Sequence, residues 1–458
     1  MDPDHPGWAD CERDGMDVFV VEGGRRLEGR IRVGGSKNAA LPLMAAALLT
    51  DHKVTLRDIP NLADIQNMKR LLAELGCHRI NESAPDSDGV HVFQNTDQTE
   101  CHARYEIVRT MRASICVLGP ILAKRGMCRI AMPGGCSIGD RPVDLHLRGL
   151  TALGAQITYE AGDIIARVPP GGLRGTTIFL GGRFGSTVLG TANVMSAAVL
   201  AKGTTVIESA ACEPEIVDLA NMLVKMGAKI TGQGSPRITI EGVKELGSVD
   251  HRVIADRIEA GTFIAAAAIT NGDLTIENCP IDAMLSATDR FEAAGVDIRR
   301  VNGEDELMRA TIRVTAGRVI KPVEFTTQPH PGFPTDLQAQ FMALLCLADG
   351  NSVITERIFP ERFLHVAELS RMGANLFRQG STVIISGVRR LVGAPVMASD
   401  LRASACLVLA GLAAEGTTVI HRIYHLDRGY DRLETRLAAV GARISRVDDK
   451  TVPAAATE

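Results

Sequence analysis

Gly203-Thr-Thr-Val-Ile207, followed by Glu213-Pro-Glu-Ile-Val-Asp-Leu-Ala-Asn-Met-Leu-Val-Lys-Met-Gly-Ala228, decides the reading of this chain. A glycine turn leads into β-branched residues, which favour an extended backbone. After a short loop, Ile216, Leu219, Ala220, Leu223 and Met226 recur at helical spacing and draw one apolar stripe. Gly227 then stands where a helix closes on a residue with positive φ. One strand and one amphipathic helix cannot bury themselves, so the phrase has to be repeated.

It is, six times. The other phrases run His52-Lys-Val-Thr-Leu56 to Leu75-Gly-Cys77, Gly126-Met-Cys-Arg-Ile130 to Leu153-Gly-Ala155, and Gly272-Asp-Leu-Thr-Ile276 to Ala294-Gly-Val296. The last two run Gly350-Asn-Ser-Val-Ile354 to Met372-Gly-Ala374, and Gly416-Thr-Thr-Val-Ile420 to Val440-Gly-Ala442. Ahead of each strand lies a second kind of segment, small-residue and apolar nearly all round: 39–49, 113–123, 188–201, 260–269, 337–347 and 403–413. A helix without a polar face is buried on every side. The fold class is therefore α/β, six units in two groups of three, each with inner helices enclosed by sheets and outer helices. A solenoid fits less well, because its helices keep a solvent face.

Composition agrees. The 458 residues suit two large domains, and 45% hydrophobic with 23% charged residues is ordinary for a globular chain. Aromatics make up only 4%, so the core is built from small and branched side chains. A net charge of −4 gives no sign of a general nucleic-acid surface. The ten cysteines contain no CxxC pair and no His at metal-ligand spacing, which indicates reduced, cytoplasmic thiols. Met1–Gly15 is polar and acidic, neither signal peptide nor anchor, and is expected to be a disordered leader, either a real extension from Met1 or a stretch ahead of a functional start at Met16. No apolar run reaches the ~18 residues of a membrane span.

The starts of the inner helices carry the chemistry. They read Ser36-Lys37-Asn38, Thr110-Met111-Arg112, Gly185-Ser186-Thr187, Asp256-Arg257, Pro334-Thr335-Asp336 and Asp400-Leu401-Arg402. Ser, Thr and Asp there are ordinary N-caps. Lys37, Arg112, Arg257 and Arg402 are not, because a cation at the positive end of a helix dipole is unfavourable unless an anion is shared. The expectation is an anion-binding cleft between two domains. Arg362 and Arg428 stand on corresponding loops of the fifth and sixth units. His365 and His425 read as structural.

Pro133-Gly-Gly-Cys-Ser-Ile-Gly-Asp-Arg-Pro-Val-Asp-Leu-His146 occupies the matching loop of the second unit. Its glycines and prolines shape an exposed turn, and Arg141 near Cys136 lowers a thiol pKa, making it nucleophile or proton donor. The plain alternative is a turn with a Cys filling a small gap. Asp336 and Asp400 stand where a base acts. Arginine forks suit carboxylate and phosphate, so the residues alone point to group transfer on a phosphorylated anion, without naming it.

The chain from about Val18 to Val447 resembles the enolpyruvyl transferases (1-carboxyvinyltransferases) acting on UDP-N-acetylglucosamine, within the EPSP synthase-like superfamily. The matching runs include Gly35-Ser-Lys-Asn-Ala-Ala-Leu-Pro42, Thr110-Met-Arg-Ala-Ser-Ile115, the Cys136 loop, Glu213-Pro-Glu-Ile-Val-Asp218, Asp256-Arg-Ile-Glu259, Phe333-Pro-Thr-Asp-Leu-Gln-Ala-Gln340, Arg362-Phe363, Asp400-Leu-Arg-Ala-Ser-Ala405 and Tyr424-His-Leu-Asp-Arg-Gly-Tyr430. The resemblance implies two inside-out α/β barrel domains, one over 36–254 carrying Cys136, the other over 16–35 plus 255–450, with 451–458 a flexible tail. It implies transfer of the enolpyruvyl group of phosphoenolpyruvate to the sugar 3′-hydroxyl, the first committed step of peptidoglycan and hence cell-wall synthesis, in the cytoplasm. No metal, organic cofactor, nucleic acid or membrane partner is implied.

By the same resemblance, Lys37, Arg141 and Arg402, with Arg428 nearby, hold phosphoenolpyruvate. Asn38 and Arg112 position the sugar nucleotide, and further substrate contacts fall at Pro142, Val143, Asp144, Leu145, Ile358 and Arg362. Asp336 takes the hydroxyl proton, Cys136 protonates C3, and Asp400 assists proton movement. Three departures stand out. Gly182-Arg-Phe-Gly-Ser-Thr-Val-Leu189 replaces a segment that usually carries a lysine for the uridine diphosphate, with Arg183 or the backbone near Ser186 and Thr187 as substitutes. Asp140 occupies a usually small, neutral position, and Met1–Gly15 has no counterpart. The competing readings are the related 3-phosphoshikimate transferase, whose pattern lacks the Pro-Gly-Gly-Cys loop and the Asp-Arg-Gly-Tyr run, and a non-catalytic sugar-nucleotide sensor, which would have lost Cys136 or Asp336.

Overall fold

Thr204–Glu208 is extended, as its β-branched run dictates, with Thr205 and Ile207 turned inward. It pairs in parallel with Thr177–Phe179 and antiparallel with Arg237–Glu241, and Lys229–Thr231 closes the far edge. In this computed structural model, which describes residues 17–81, 89–133, 142–301, 307–317 and 319–451, the same arrangement recurs in six four-stranded sheets. Each has one parallel pair and two antiparallel pairings. The Met1–Gly15 leader, Cys136, Asp140, Arg141 and residues 452–458 lie outside the described residues.

The six apolar segments are helical and buried. Their α-helical parts are α1 (Lys37–Ala46), α2 (Leu118–Arg125), α3 (Val188–Ala198), α4 (Arg257–Ile269), α5 (Gln338–Leu345) and α6 (Leu401–Ala413). Before α2, residues Arg112–Val117 wind as a tighter 3-10 helix, and Thr335–Leu337 does so before α5. Every residue of α4 is buried, and each fully buried Ile or Phe on it contributes about 1.5–3 kcal/mol of transfer free energy. The outer helices show one-sided burial instead. Pro214–Lys225 starts on a proline and buries Ile216, Leu219, Ala220 and Leu223. The glycines closing the six outer segments have φ from 73° at Gly76 to 106° at Gly227, the left-handed region that L side chains avoid.

The chain divides into two compact units. The first comprises the described residues up to Val33, Ala255–Gln328 and Gly332 onward; the second comprises Gly34–Ile254 with Pro329–Pro331. Three sheets fall in each. In the first, the N-terminal strands Asp17–Glu22 and Glu28–Arg32 complete sheets begun by distant segments, Asp17–Glu22 lying between Thr417–His421 and Arg443–Asp448. In the second, Val249–Arg252 returns to pair in parallel with Val54–Arg57. Among the described residues, no helix is long and apolar enough to cross a membrane.

Two packing nodes hold the helix starts in place. In the second unit, Asn193 on α3 accepts the Gly119 N–H at 2.8 Å, donates to the Ile115 carbonyl at 2.8 Å and meets His146 Nδ1 at 2.9 Å. The helices come so close that a methyl on Gly119 would lie 2.2 Å from the Asn193 carbonyl oxygen. In the first unit, the few aromatics gather: Phe325 and Phe333 are 4.0 Å apart between ring centroids, and Phe341 packs on Phe291 at 4.1 Å and edge-on to Phe333 at 4.9 Å. Phe333 and Phe341 bracket the turn that carries Asp336.

Candidate active site

In the second unit, Lys37 begins α1 just after its cap, Ser36, whose hydroxyl accepts the Ala39 N–H. The Lys37 ammonium is buried and lies 3.0 Å from Asp64 Oδ2, itself buried on the outer helix Ala63–Glu74. Asn38 is half-buried beside it. Arg112 starts the 3-10 helix, and its Nη1 donates to the Pro133 carbonyl at 3.4 Å, at the edge of the Cys136 loop. Pro142, Val143, Asp144 and Leu145 form the start of the helix Asp144–Ala152, with Pro142 and Asp144 exposed and Val143 buried. Arg183 is exposed and stacks over the Phe184 ring, while Thr187 caps α3.

In the first unit, three of the expected residues meet directly. Asp336 gives one carboxylate oxygen to each of two arginines: Arg362 Nη1 donates to Oδ1 at 2.8 Å, and Arg402 Nη2 to Oδ2 at 3.0 Å. Both guanidiniums are almost fully buried, whereas the Asp336 side chain keeps 26% of its surface exposed. Burial works to raise the Asp336 pKa, but Arg402 and Arg362 outweigh it and hold the carboxyl well below the usual range. Arg402, whose pKa burial would lower, is held up by Asp336. Its Nη1 donates to Tyr430 Oη at 3.3 Å. Tyr430 is buried, and its hydroxyl also meets Thr262 Oγ1 at 2.9 Å and Gln340 Nε2 at 3.3 Å.

Asp400 caps α6. Its Oδ1 accepts the backbone N–H groups of Arg402 at 2.9 Å and Ala403 at 3.2 Å, and Ser399 donates to Oδ2 at 3.3 Å. Capping therefore engages one oxygen and leaves the second for a weaker contact. His365 is buried and stays neutral, its pKa pushed down to about 4 by burial, against the pull of Asp400 and with the help of Arg362. His425 is also lowered, by burial first and then by Arg428, the last residue of the turn Ile423–Arg428. Ile358 is half-buried on the loop leading to Arg362. Cys136 and Arg141 lie outside the described residues.

Two of the helix-end cations, Lys37 and Arg402, have their anion, and it is a carboxylate of the protein, which the sequence reading did not anticipate. An anionic substrate would compete with that carboxylate for the cation. Asp64, Thr262 and Glu356 were also missed. For Glu356 the signal was present: Ser352 and Ile354 alternate inward along Asn351–Thr355, and Glu356 continues the period into the core. Among the described residues, no three His, Cys, Asp or Glu side chains converge as metal ligands.

A family model described as EPSP synthase (3-phosphoshikimate 1-carboxyvinyltransferase) matches residues 21–437. The chain belongs to the EPSP synthase family. Within that family its resemblance runs to particular members. The UDP-N-acetylglucosamine 1-carboxyvinyltransferase of Anaeromyxobacter sp. (strain Fw109-5) is 51% identical over 431 residues, covering 94% of this chain and 99% of that protein. The protein of the same name from Methylacidiphilum infernorum is 49% identical over 435 residues, covering 95% and 100%. Among solved structures, the enolpyruvyl transferase NikO from Streptomyces tendae superposes with a TM-score of 0.83 at 22% identity, covering 94% of this chain and 99% of that one. The EPSP synthase of Acinetobacter baumannii does so at 0.73 and 18% identity, with the same coverage. At such identities these structures establish the mixed α/β fold of the family, not the substrate.

Proposed function

We propose that this chain transfers the enolpyruvyl group of phosphoenolpyruvate to the 3′-hydroxyl of UDP-N-acetylglucosamine, releasing phosphate. What supports this most is the near-50% identity, over about 95% of the chain, to proteins named for that transferase activity. The geometry supplies matching chemistry: a partly exposed carboxylate held between two buried guanidiniums. Each unit is read as an inside-out barrel, with buried helices at its centre, the two covering 36–254 and 16–35 plus 255–450. The placing of the reaction at the entry to peptidoglycan synthesis, in the cytoplasm, belongs to the same proposal.

The residues then take these roles. Arg402, Arg428, Lys37 and Arg141 hold the phosphate and carboxylate of phosphoenolpyruvate, and Asn38, Arg112, the 142–145 helix start, Ile358 and Arg362 hold the sugar nucleotide. As the anion draws Arg402 toward itself, Asp336 loses part of the charge that depresses its pKa and becomes a competent base. It accepts the 3′-hydroxyl proton as that oxygen bonds to C2, while the Cys136 thiol delivers a proton to C3. Loss of a proton from C3 and rupture of the C2–O bond to phosphate restore the double bond in the product, with Asp400 assisting. In the test, purified protein is given phosphoenolpyruvate with either UDP-N-acetylglucosamine or shikimate 3-phosphate, and phosphate is measured. Release with the sugar nucleotide alone is expected. Release only with shikimate 3-phosphate overturns the proposal, and silence with both points to a sensor.

A further inference from the structure

Glu356 is a wholly buried carboxylate that the reaction scheme does not use. Its Oε1 accepts Thr327 Oγ1 at 2.7 Å, the Ile358 N–H at 2.8 Å and the Phe359 N–H at 3.0 Å; its Oε2 accepts Thr335 Oγ1 at 2.8 Å. Burying a carboxylate is costly, and four donors offset that cost without making it a strong source of stability. The contacts on Oε1 shape the turn that carries Ile358 and leads to Arg362. The contact on Oε2 has a different consequence. Thr335 Oγ1 accepts a bond from Arg362 Nη1 at 3.1 Å, and the same Nη1 donates to Asp336 Oδ1 at 2.8 Å.

A threonine hydroxyl has one proton. Because Glu356 can only accept, that proton points to Glu356, and the hydroxyl lone pairs are left facing Arg362. We propose that Glu356 is a positioning residue: through Thr335 it fixes the direction of the hydrogen bonds that seat Arg362 on Asp336, and so sets the basicity of Asp336. Glutamine at this position would keep the shape and the three Oε1 contacts. Its amide NH2, however, would face Thr335 as a donor and occupy one hydroxyl lone pair, so the proton loses its fixed acceptor, and the lone pairs are no longer both reserved for Arg362. The charged groups bearing on Asp336 are Arg362 and Arg402; Asp256 and Tyr430 act on Arg402, Asp400 caps the Arg402 helix, and His365 feels both Asp400 and Arg362.

The kinetic readout rests on the transferase reading; the spectroscopic one does not. The experiment compares Glu356→Gln, Thr335→Val and Thr335→Ser with the wild type. It follows kcat and KM against pH, and the Asp336 carboxyl carbon by NMR, assigned by its loss in Asp336→Asn. In Glu356→Gln and Thr335→Val, the acid limb of kcat and the Asp336 titration should both move to higher pH; kcat should still fall by about ten- to a hundredfold, because the carboxylate, though more basic, is no longer held in its reacting orientation. Thr335→Ser should restore wild-type behaviour. An unmoved Asp336 titration in folded Glu356→Gln overturns the proposal, as does activity lost only in proportion to folded protein. If Glu356→Gln does not fold, Thr335→Val decides; unfolding of both means a purely structural role and also overturns it. A silent wild type sinks the transferase reading alone, because the NMR titration still decides the role of Glu356.

Discussion

The guanidinium of Arg402 lies 3.0 Å from Asp336 Oδ2, and the Asp400 carboxylate caps the same helix two residues before it. The cation is thus built into a helix N-terminus that would repel it, and Asp336 and the cap together make that position tolerable. In the proposed reaction the pair is a resting arrangement, in which neither the proposed base nor the proposed anion-binding cation is yet free to act.

Asp336→Asn should therefore bind both substrates and lose turnover, with kcat lower by about 10²- to 10⁴-fold. Arg402→Lys keeps the charge but loses the fork shared by Asp336 and Tyr430, so it should raise KM for phosphoenolpyruvate as well as lower kcat. Steady-state kinetics with each substrate varied checks both. An unchanged kcat in Asp336→Asn would remove it as the base.

Burial pushes the thiols of Cys77, Cys116, Cys279 and Cys346 up to about 12, and those of Cys128 and Cys406 upward as well. These are poor nucleophiles at neutral pH. An epoxide resembling phosphoenolpyruvate should accordingly label Cys136, as read by peptide mass spectrometry. Cys136→Ala should lose turnover, and Cys136→Asp should keep part of it by supplying another acid. Labelling elsewhere with Cys136 untouched would count against its role.

His365 has a folded pKa of about 4 against an ordinary 6.5. Between these values the unfolded chain binds a proton that the folded chain refuses, so stability falls as pH falls through that window. The contribution is full above about 6.5 and gone below about 4. Asp336 acts in the same direction at lower pH, since its depressed pKa favours the fold above its ordinary 3.8 and that advantage is lost on further acidification. Urea unfolding of wild type and His365→Leu from pH 7 to 4 should show a shallower decline in the variant. Parallel curves would refute the assignment.

Gly119→Ala places a methyl 2.2 Å from the Asn193 carbonyl oxygen. Helix propensity favours the alanine, but the forced separation of α2 and α3 should win and cost at least about 1–3 kcal/mol. Thermal unfolding measures the balance, and a stabilised variant would show that the two helices have room to part.

The sixfold phrase, the buried inner helices and their cations were legible in the sequence because periodicity and the sign of a charge at a helix end are local properties. Arg402 could be singled out without knowing any of its neighbours. What it touches could not. Asp336 and Tyr430 reach it from other elements, and Arg362 is joined to it only through Asp336. Glu356 looked like one more polar residue after a strand until the fold set Thr335 against it. The sequence by itself determined which segments are inside and which residues bear charge. Only the tertiary structure decided which charge faces which, because hydrogen-bond direction and ion pairing depend on distances of a few ångström between segments whose sequence separation carries no such information.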